Sequence, residues 1–306
     1  MIILNSIDKK VFNVLLVGYY ISLFYFLDIY AFEMIFDKSN MIMFFILLII
    51  STVIMASVSW AEAGNEVFIR NIPGIQAMEE AIGRATEMGK PTLFVPGISD
   101  FNEVQTIAGV NVLGHVAKLT AEYETELNVP VSKSIVMEAA REICKDSYLQ
   151  VGRPDLYHND MVHYIAESQF AYAAGINGIM LREKPSACFY QGQFYAESLL
   201  LAETGNSIGA IQIAGTGSSS QIPFFITACD YTLIGEEFLT ASAILSNKQD
   251  LLGSIRGQDI IKILISLGLF LGTFLSFGFS SFIFMVGVFI GVFSYISSLY
   301  LLGRSK

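Results

Sequence analysis

The sequence predicts an α/β protein: a mainly parallel, doubly wound sheet domain inserted between two transmembrane helical hairpins. Three observations lead there. Between residues 61 and 258, short apolar runs of strand length alternate with segments of helical period. Long apolar blocks, nearly free of charge, lie on both sides of that region. The charge is also uneven: residues 61–258 hold 12 Lys/Arg and 23 Asp/Glu, a net of −11, while the remainder holds 6 and 5, a net of +1. Strands alternating with helices at this spacing pair in parallel through right-handed crossovers, which cover both faces of the sheet with helices.

The first apolar block runs from Val11 to Phe36, with Asp28 and Glu33 toward its far end. The linker Asp37-Lys-Ser-Asn40 follows, and Met41 to Trp60 then carries no charge at all. Each block supplies the ~20 apolar residues that a ~30 Å hydrocarbon core requires. Two such blocks in tandem exceed the roughly 7–15-residue core of a signal peptide. Asp259 to Leu302 is apolar again, interrupted by Lys262 near its start, and a turn is expected at Phe277-Gly-Phe-Ser280. The expected organisation is therefore a hairpin over 1–60 (spans 11–34 and 41–60), a domain over 61–258, and a hairpin over 259–306 (spans 259–278 and 280–302). Four spans put both termini and the domain on one side. That side collects Lys9, Lys10, Lys248, Arg256, Lys262, Arg304 and Lys306, against Lys38 on the other. The positive-inside rule then makes the domain and both termini cytoplasmic, in a multi-pass protein of the inner (cytoplasmic) membrane with the lipid bilayer as partner. Gly268-Leu-Phe-Leu-Gly272 and Gly287-Val-Phe-Ile-Gly291 repeat a spacing that lets helix backbones approach closely. Both pairs are centred on the expected turn, so Gly268, Gly272, Gly287 and Gly291 are expected to form a packing seam, within the hairpin or between subunits.

Within the domain, Ile75, Met78, Ala81, Ile82 and Ala85 have helical spacing, and Gly89 supplies a helix end. Pro91 to Val95 reads as a strand, Asn111 to Leu127 as a helix, Val129 to Val131 as a strand start, and Ile135 to Leu149 as a helix. Asp160 to Leu181 is apolar around most of its circumference and reads as one long buried helix. After it come strands at Ala187–Gln191, Gly209–Ile213 and Tyr231–Ile234. Helices are expected at Phe194–Thr204, Gln221–Cys229 and Glu236–Leu245, with Ser246–Gln258 as a polar connector.

The candidate site is the loop of small residues after the Gly209–Ile213 strand. Gly215, Thr216, Gly217, Ser218 and Ser219 lie between a strand end and a helix start, where backbone N–H groups favour anions. Glu236 and Glu237 follow the next strand and are candidates for a ribose or a cation. Plainer readings stand beside both. The loop is neither GxGxxG nor a Walker loop, and it lacks the lysine of the latter. Ser219 or Ser220 can simply cap a helix, and acids are favoured in a helix's first turn. No catalytic constellation is legible and no cofactor is specified: GxSxG is absent, as is any CxxC pattern. His158 and His163 are five apart, a poor chelating pair, so no metal site is expected. Cys144, Cys188 and Cys229 read as buried apolar thiols. The acidic domain excludes nucleic acid as a partner.

The runs Leu113-Gly-His-Val-Ala-Lys-Leu-Thr-Ala-Glu-Tyr-Glu124, Gly215-Thr-Gly217 and Ala228-Cys-Asp-Tyr-Thr-Leu-Ile-Gly-Glu-Glu237 carry a resemblance. Together they resemble a prokaryotic membrane-anchored family known only as a domain of unknown function, over most of 65–258 and the flanking spans. The resemblance implies membrane residence and an α/β domain, and no reaction, cofactor or catalytic residue. The expectation is a non-enzymatic assembly or accessory subunit, in a homo-oligomer or beside a membrane partner protein. The alternative is a sensor or enzyme that binds a nucleotide-like anion at Gly215–Ser220.

Overall fold

The structure is a computed structural model, and residues 41–65, 67 and 71–273 of it are described. The expected spans 11–34 and 280–302, with Asp28, Glu33, Gly287 and Gly291, lie outside the described residues. Two compact units are present: an α/β unit over Glu66–Leu252, and a helical unit formed by the segments on either side of it.

In chain order the elements are helices α1 (Met41–Glu62) and α2 (Pro73–Glu87), strand β1 (Thr92–Gly97), α3 (Val104–Glu122), β2 (Leu127–Val131), α4 (Ser134–Val151), β3 (Val162–Tyr164), α5 (Gln169–Glu183), β4 (Ala187–Gln193), α6 (Glu197–Ser207), β5 (Ile211–Thr216), α7 (Ile222–Ala228), β6 (Tyr231–Ile234) and α8 (Glu236–Ser246). A last helix, α9, spans 249–273. Of the stripe predicted for α2, Met78, Ala81, Ile82 and Ala85 are buried, Ile75 is half-buried and Ala77 joins the buried face, and Pro73 sits in the helix's first turn. Gly89, at φ +61°, ends the segment, a conformation that glycine adopts without strain.

Six parallel strands are ordered β3-β2-β1-β4-β5-β6. The order follows from handedness. Right-handed crossovers from β1 toward β3 place α3 and α4 on one face, and those from β3 back through β4 to β6 place α5, α6 and α7 on the other. Two cores result. Phe94, Leu113, Val116, Phe189 and Phe238 belong to the first. Val95, Tyr172, Ile176, Tyr190 and Phe225 belong to the second. The central strands alternate between them: Phe94 stacks on Phe189 at 6.3 Å on one side, and Tyr190 on Phe225 at 5.9 Å on the other. Every residue of β1 is buried, as expected of a strand covered on both faces. The expected doubly wound parallel α/β domain is therefore present.

Some elements differ from the sequence reading. The helix expected over 111–127 begins at Val104, and Leu127 belongs to β2. The single helix expected over 160–181 is two elements. Val162–Tyr164 is a strand that pairs with β2 through Val129↔Val162, and α5 starts only at Gln169. Helical period and a three-residue strand look alike in an apolar stretch; pairing with β2, a non-local contact, decides it. Gly215 and Thr216, expected in a loop, end β5.

In the helical unit, α1 contains a stretch, Met43–Glu62, that is long and apolar enough to cross a membrane, with a mean hydropathy of 2.3. The polar connector expected over 246–258 is largely helical, since α9 begins at 249. Its first turns pack on α1. A Cβ built on Gly253 would lie 2.6 Å from Val58 Cα and 3.0 Å from Ala61 Cβ, and one on Gly257 3.0 Å from Ile54 Cα. Rising numbers on α1 meet falling numbers on α9, so the helices are antiparallel. Gly253-Ser-Ile-Arg-Gly257 is thus a GxxxG seam that the sequence reading passed over. No described atom lies within 4 Å of a Cβ built on Gly268 or Gly272. Above the seam the Arg256 guanidinium lies 3.3 Å over the centre of the Trp60 ring.

Candidate functional site

The strand order reverses between β1 and β4, and in open α/β sheets ligands lie outside the carboxyl ends of strands at such a point. In this chain the backbones there are in direct contact. A Cβ on Gly97 would lie 2.4 Å from the Gln193 carbonyl oxygen, and one on Gly109 would lie 2.1 Å from that of Gln191. Helix α3 therefore rests on the backbone of β4. Only residues without side chains allow this approach.

The predicted loop lies one strand further on. Gly215 is buried, and its missing side chain leaves room for the Gln191 amide oxygen, 2.1 Å from the built Cβ, while Gln191 Nε2 donates to the Ile213 carbonyl at 3.0 Å. The Gly217 N–H donates to Gln105 Oε1 at 2.7 Å, and Thr216 Oγ1 donates to the same oxygen at 3.2 Å. The Ser218 N–H donates to Thr216 Oγ1 at 3.2 Å. Gln105, in the first turn of α3 and far away in sequence, thus places an amide oxygen where an anion's oxygen would sit. No local sequence signal marks it. Ser219 is exposed. Ser220 does not cap α7: the N-cap is Gln221 without a side-chain cap bond, and Ser220 Oγ accepts from Gln221 Nε2 at 3.2 Å. Glu236 and Glu237 occupy the first turn of α8, beyond the end of β6, which pairs with β5 through Thr216↔Ile234. They share the sheet's carboxyl edge with the loop.

A second polar group lies at this edge, around Glu197, which reads from the sequence as an unremarkable polar or core residue. Glu197 is fully buried. Its Oε1 accepts from the Tyr195 N–H at 2.9 Å and its Oε2 from Gln169 Nε2 at 2.6 Å. Ser198 Oγ donates to Gln221 Oε1 at 2.7 Å. The Gln169–Glu197 and Ser198–Gln221 bonds tie the starts of α5, α6 and α7 together.

The cysteine thiols are muted. Burial pushes the thiols of Cys144, Cys188 and Cys229 up to about 12, which leaves them protonated and unreactive at neutral pH. His158 Nδ1 lies 3.2 Å from the Leu156 carbonyl and His163 Nδ1 3.3 Å from that of Asp160. Among the described residues no three His, Cys, Asp or Glu side chains converge to hold a metal. Two open depressions, about 470 and 180 Å³, flank α2. The smaller is lined by Ile211, Asp230 and Tyr231 at the amino ends of β5 and β6, away from the predicted loop.

Burial lowers the pKa of His115 below its usual value, Lys118 lowers it further, and Glu79 opposes them. The unfolded chain then binds a proton that the folded one resists, so this group's contribution is intact above about pH 6.5 and declines as pH falls toward the folded value. Chemical denaturation of the wild type is expected to show stability falling from pH 7 to pH 5.5, with a shallower fall in His115→Gln. Equal slopes would show that His115 titrates normally.

No curated protein and no solved structure matches the chain. Residues 31–286 match the family model described as a domain of unknown function, DUF6754. That match takes in the α/β unit, its carboxyl-edge loops and the seam helices, and on this evidence the chain belongs to the DUF6754 family.

Proposed function

We propose that the chain is a membrane-held, non-enzymatic assembly or accessory subunit whose α/β unit is a protein-binding module. The observation that carries this is Gln105. The Gly217 N–H, the donor an anion needs, is given to an amide oxygen of the same chain. The loop thus acts as a brace between β5 and α3. The apolar α1 and the charge-poor flanks support membrane residence, and the positive residues beside the domain support a cytoplasmic unit.

The nucleotide-like ligand reading keeps one observation in its favour: the strand order β3-β2-β1-β4-β5-β6 is one that dinucleotide-binding sheets use. Fold alone does not assign function. A thermal-shift screen of the purified chain with nucleotides and sugar phosphates at millimolar concentration separates the two. No shift is expected for the wild type. A ligand present at 100-fold its Kd adds about 2.7 kcal/mol, and a stabilisation of that order, abolished by Gly217→Val, would replace the assembly reading with the ligand one.

A further inference from the structure

Arg256 is a cation laid on an aromatic ring and given no counter-charge. Its guanidinium lies 3.3 Å over the centre of the Trp60 ring. Its Nη1 is buried and has no hydrogen-bond partner, and among the described residues no carboxylate forms an ion pair with it. Asp259, one turn further along α9, is paired with Lys262 at 3.4 Å. Glu62 is two positions from Trp60, and residues two apart on a helix do not face the same side. Arg256 as a whole is half-buried, so the residue reaches the surface of the helical unit.

The pair lies at the end of an apolar span. Trp60 is in the last turn of α1, where the apolar stretch Met43–Glu62 finishes. Tryptophan at the end of a span belongs to the aromatic belt at headgroup level. Helix α9 is antiparallel to α1, so from Arg256 onward it runs back along the apolar length of that span. Positions 256, 260, 263 and 267 share one face of α9, since steps of four, three and four follow the helical period. Beyond the arginine that face is apolar: Ile260 is half-buried, Ile263 is 68% exposed and Leu267 is 54% exposed. Ile263 and Leu267 lie roughly 10 and 16 Å from Arg256 along the helix, about the depth of one leaflet of a ~30 Å hydrocarbon core. A cation at headgroup level over an apolar stripe matches a diacyl phospholipid, with phosphate at the guanidinium and an acyl chain along the stripe. Free phosphate would use the cation and leave the stripe without a role.

We propose that Arg256, held on Trp60, binds the phosphate of an anionic phospholipid. This site deepens the membrane-held reading of the chain and rests on it. The planar fork of arginine meets two phosphate oxygens at once. The ring takes the face of the guanidinium, an attraction that grows as water is excluded. Gly253 and Gly257, on either side of Arg256 in sequence, bring α9 onto the backbone of α1. The arginine is therefore in place before a lipid arrives, and little ordering is needed. Net charge selects among lipids. Phosphatidylcholine carries a phosphate, but its choline cancels that charge, whereas phosphatidylglycerol keeps it.

The test uses the full-length chain reconstituted into vesicles of phosphatidylcholine and phosphatidylglycerol in equal parts, with Trp60, the sole tryptophan, as reporter. Phospholipids with brominated acyl chains quench a tryptophan beside them. Supplying one or the other lipid in brominated form therefore measures which of them occupies the site. Phosphatidylglycerol is expected to be preferred by about fivefold or more, the factor for one basic side chain at a charged surface. Arg256→Gln is expected to abolish the preference, and Lys145→Gln, which removes an exposed cation on α4, to leave it intact. Lipid extracted from the purified chain gives a second measure. Trp60→Leu keeps the arginine without its support and is expected to lose the phosphatidylglycerol that the wild type retains. Equal quenching by both lipids in the wild type, or a preference that survives Arg256→Gln, overturns the site and leaves membrane residence standing. Phosphatidylglycerol retained by Trp60→Leu overturns the part given to the ring. A chain that does not float with the vesicles overturns both the site and membrane residence. A preference removed by inorganic phosphate, and not by chloride at the same ionic strength, makes free phosphate the occupant and overturns the lipid.

Discussion

Gly109→Val is expected to unfold the α/β unit at temperatures where the wild type is stable. A Cβ at this position would lie 2.1 Å from the Gln191 carbonyl oxygen and 3.0 Å from its carbon. Those atoms belong to β4, which is hydrogen-bonded on both sides, to β1 and to β5, and has no room to retreat. Branching adds two methyl groups to the overlap. Overpacking of a core costs about 1–3 kcal/mol and occasionally more, and backbone collision belongs at the upper end, about 3 kcal/mol or beyond. For a unit of this size each kcal/mol moves the melting temperature by roughly 2–4 °C, so a drop near 10 °C is expected. Gly83→Ala is the matching control. It is also a helix glycine, but its Cβ meets nothing within 4 Å. There the change removes chain entropy and is expected to stabilise by about 0.5–1 kcal/mol. Melting curves of the two variants should move in opposite directions. A Gly109→Val protein that melts within 2 °C of the wild type would mean that α3 does not rest on β4.

Gly253→Leu is expected to separate α1 from α9. The built Cβ lies 2.6 Å from Val58 Cα and 2.9 Å from the Ser57 carbonyl oxygen, both backbone atoms of α1. Close van der Waals contact between the two backbones holds this pair at the seam. Opening it also removes the Arg256 guanidinium from the Trp60 ring, a contact worth about 0.5–2 kcal/mol. Trp60 is the sole tryptophan of the chain and reports on the seam directly. The variant should shift its emission and raise its quenching by acrylamide, with a loss of about 2–3 kcal/mol in detergent-state stability. Arg256→Gln should change the emission with a smaller loss, because the seam itself survives. Emission unchanged by Gly253→Leu would show that the helices are not packed at Gly253.

The α/β class, the existence of most elements and the two-sided core follow from the sequence by itself. Their signals are local: strand and helix periods recur within a few residues, so Phe94 and Phe189 could be assigned to strands, and Ala81 and Ile82 to a buried helix face, without knowing any partner. Gly89 could be read as a helix end for the same reason. The seam at Gly253 and Gly257 was hidden by its polar neighbours, which made the stretch look like a connector. The candidate loop was legible as a strand–loop–helix junction, and its occupant was not. Gln105 is 112 positions from Gly217, and only the crossover that lays α3 over β4 brings them together. The same holds for Val162–Tyr164, a strand only because β2 is beside it, and for Glu197, whose burial depends on Gln169 in another helix. Tertiary structure alone decided these, because a side chain's partner is set by which surfaces the crossovers press together, and that is a property of the whole fold rather than of any window in the chain.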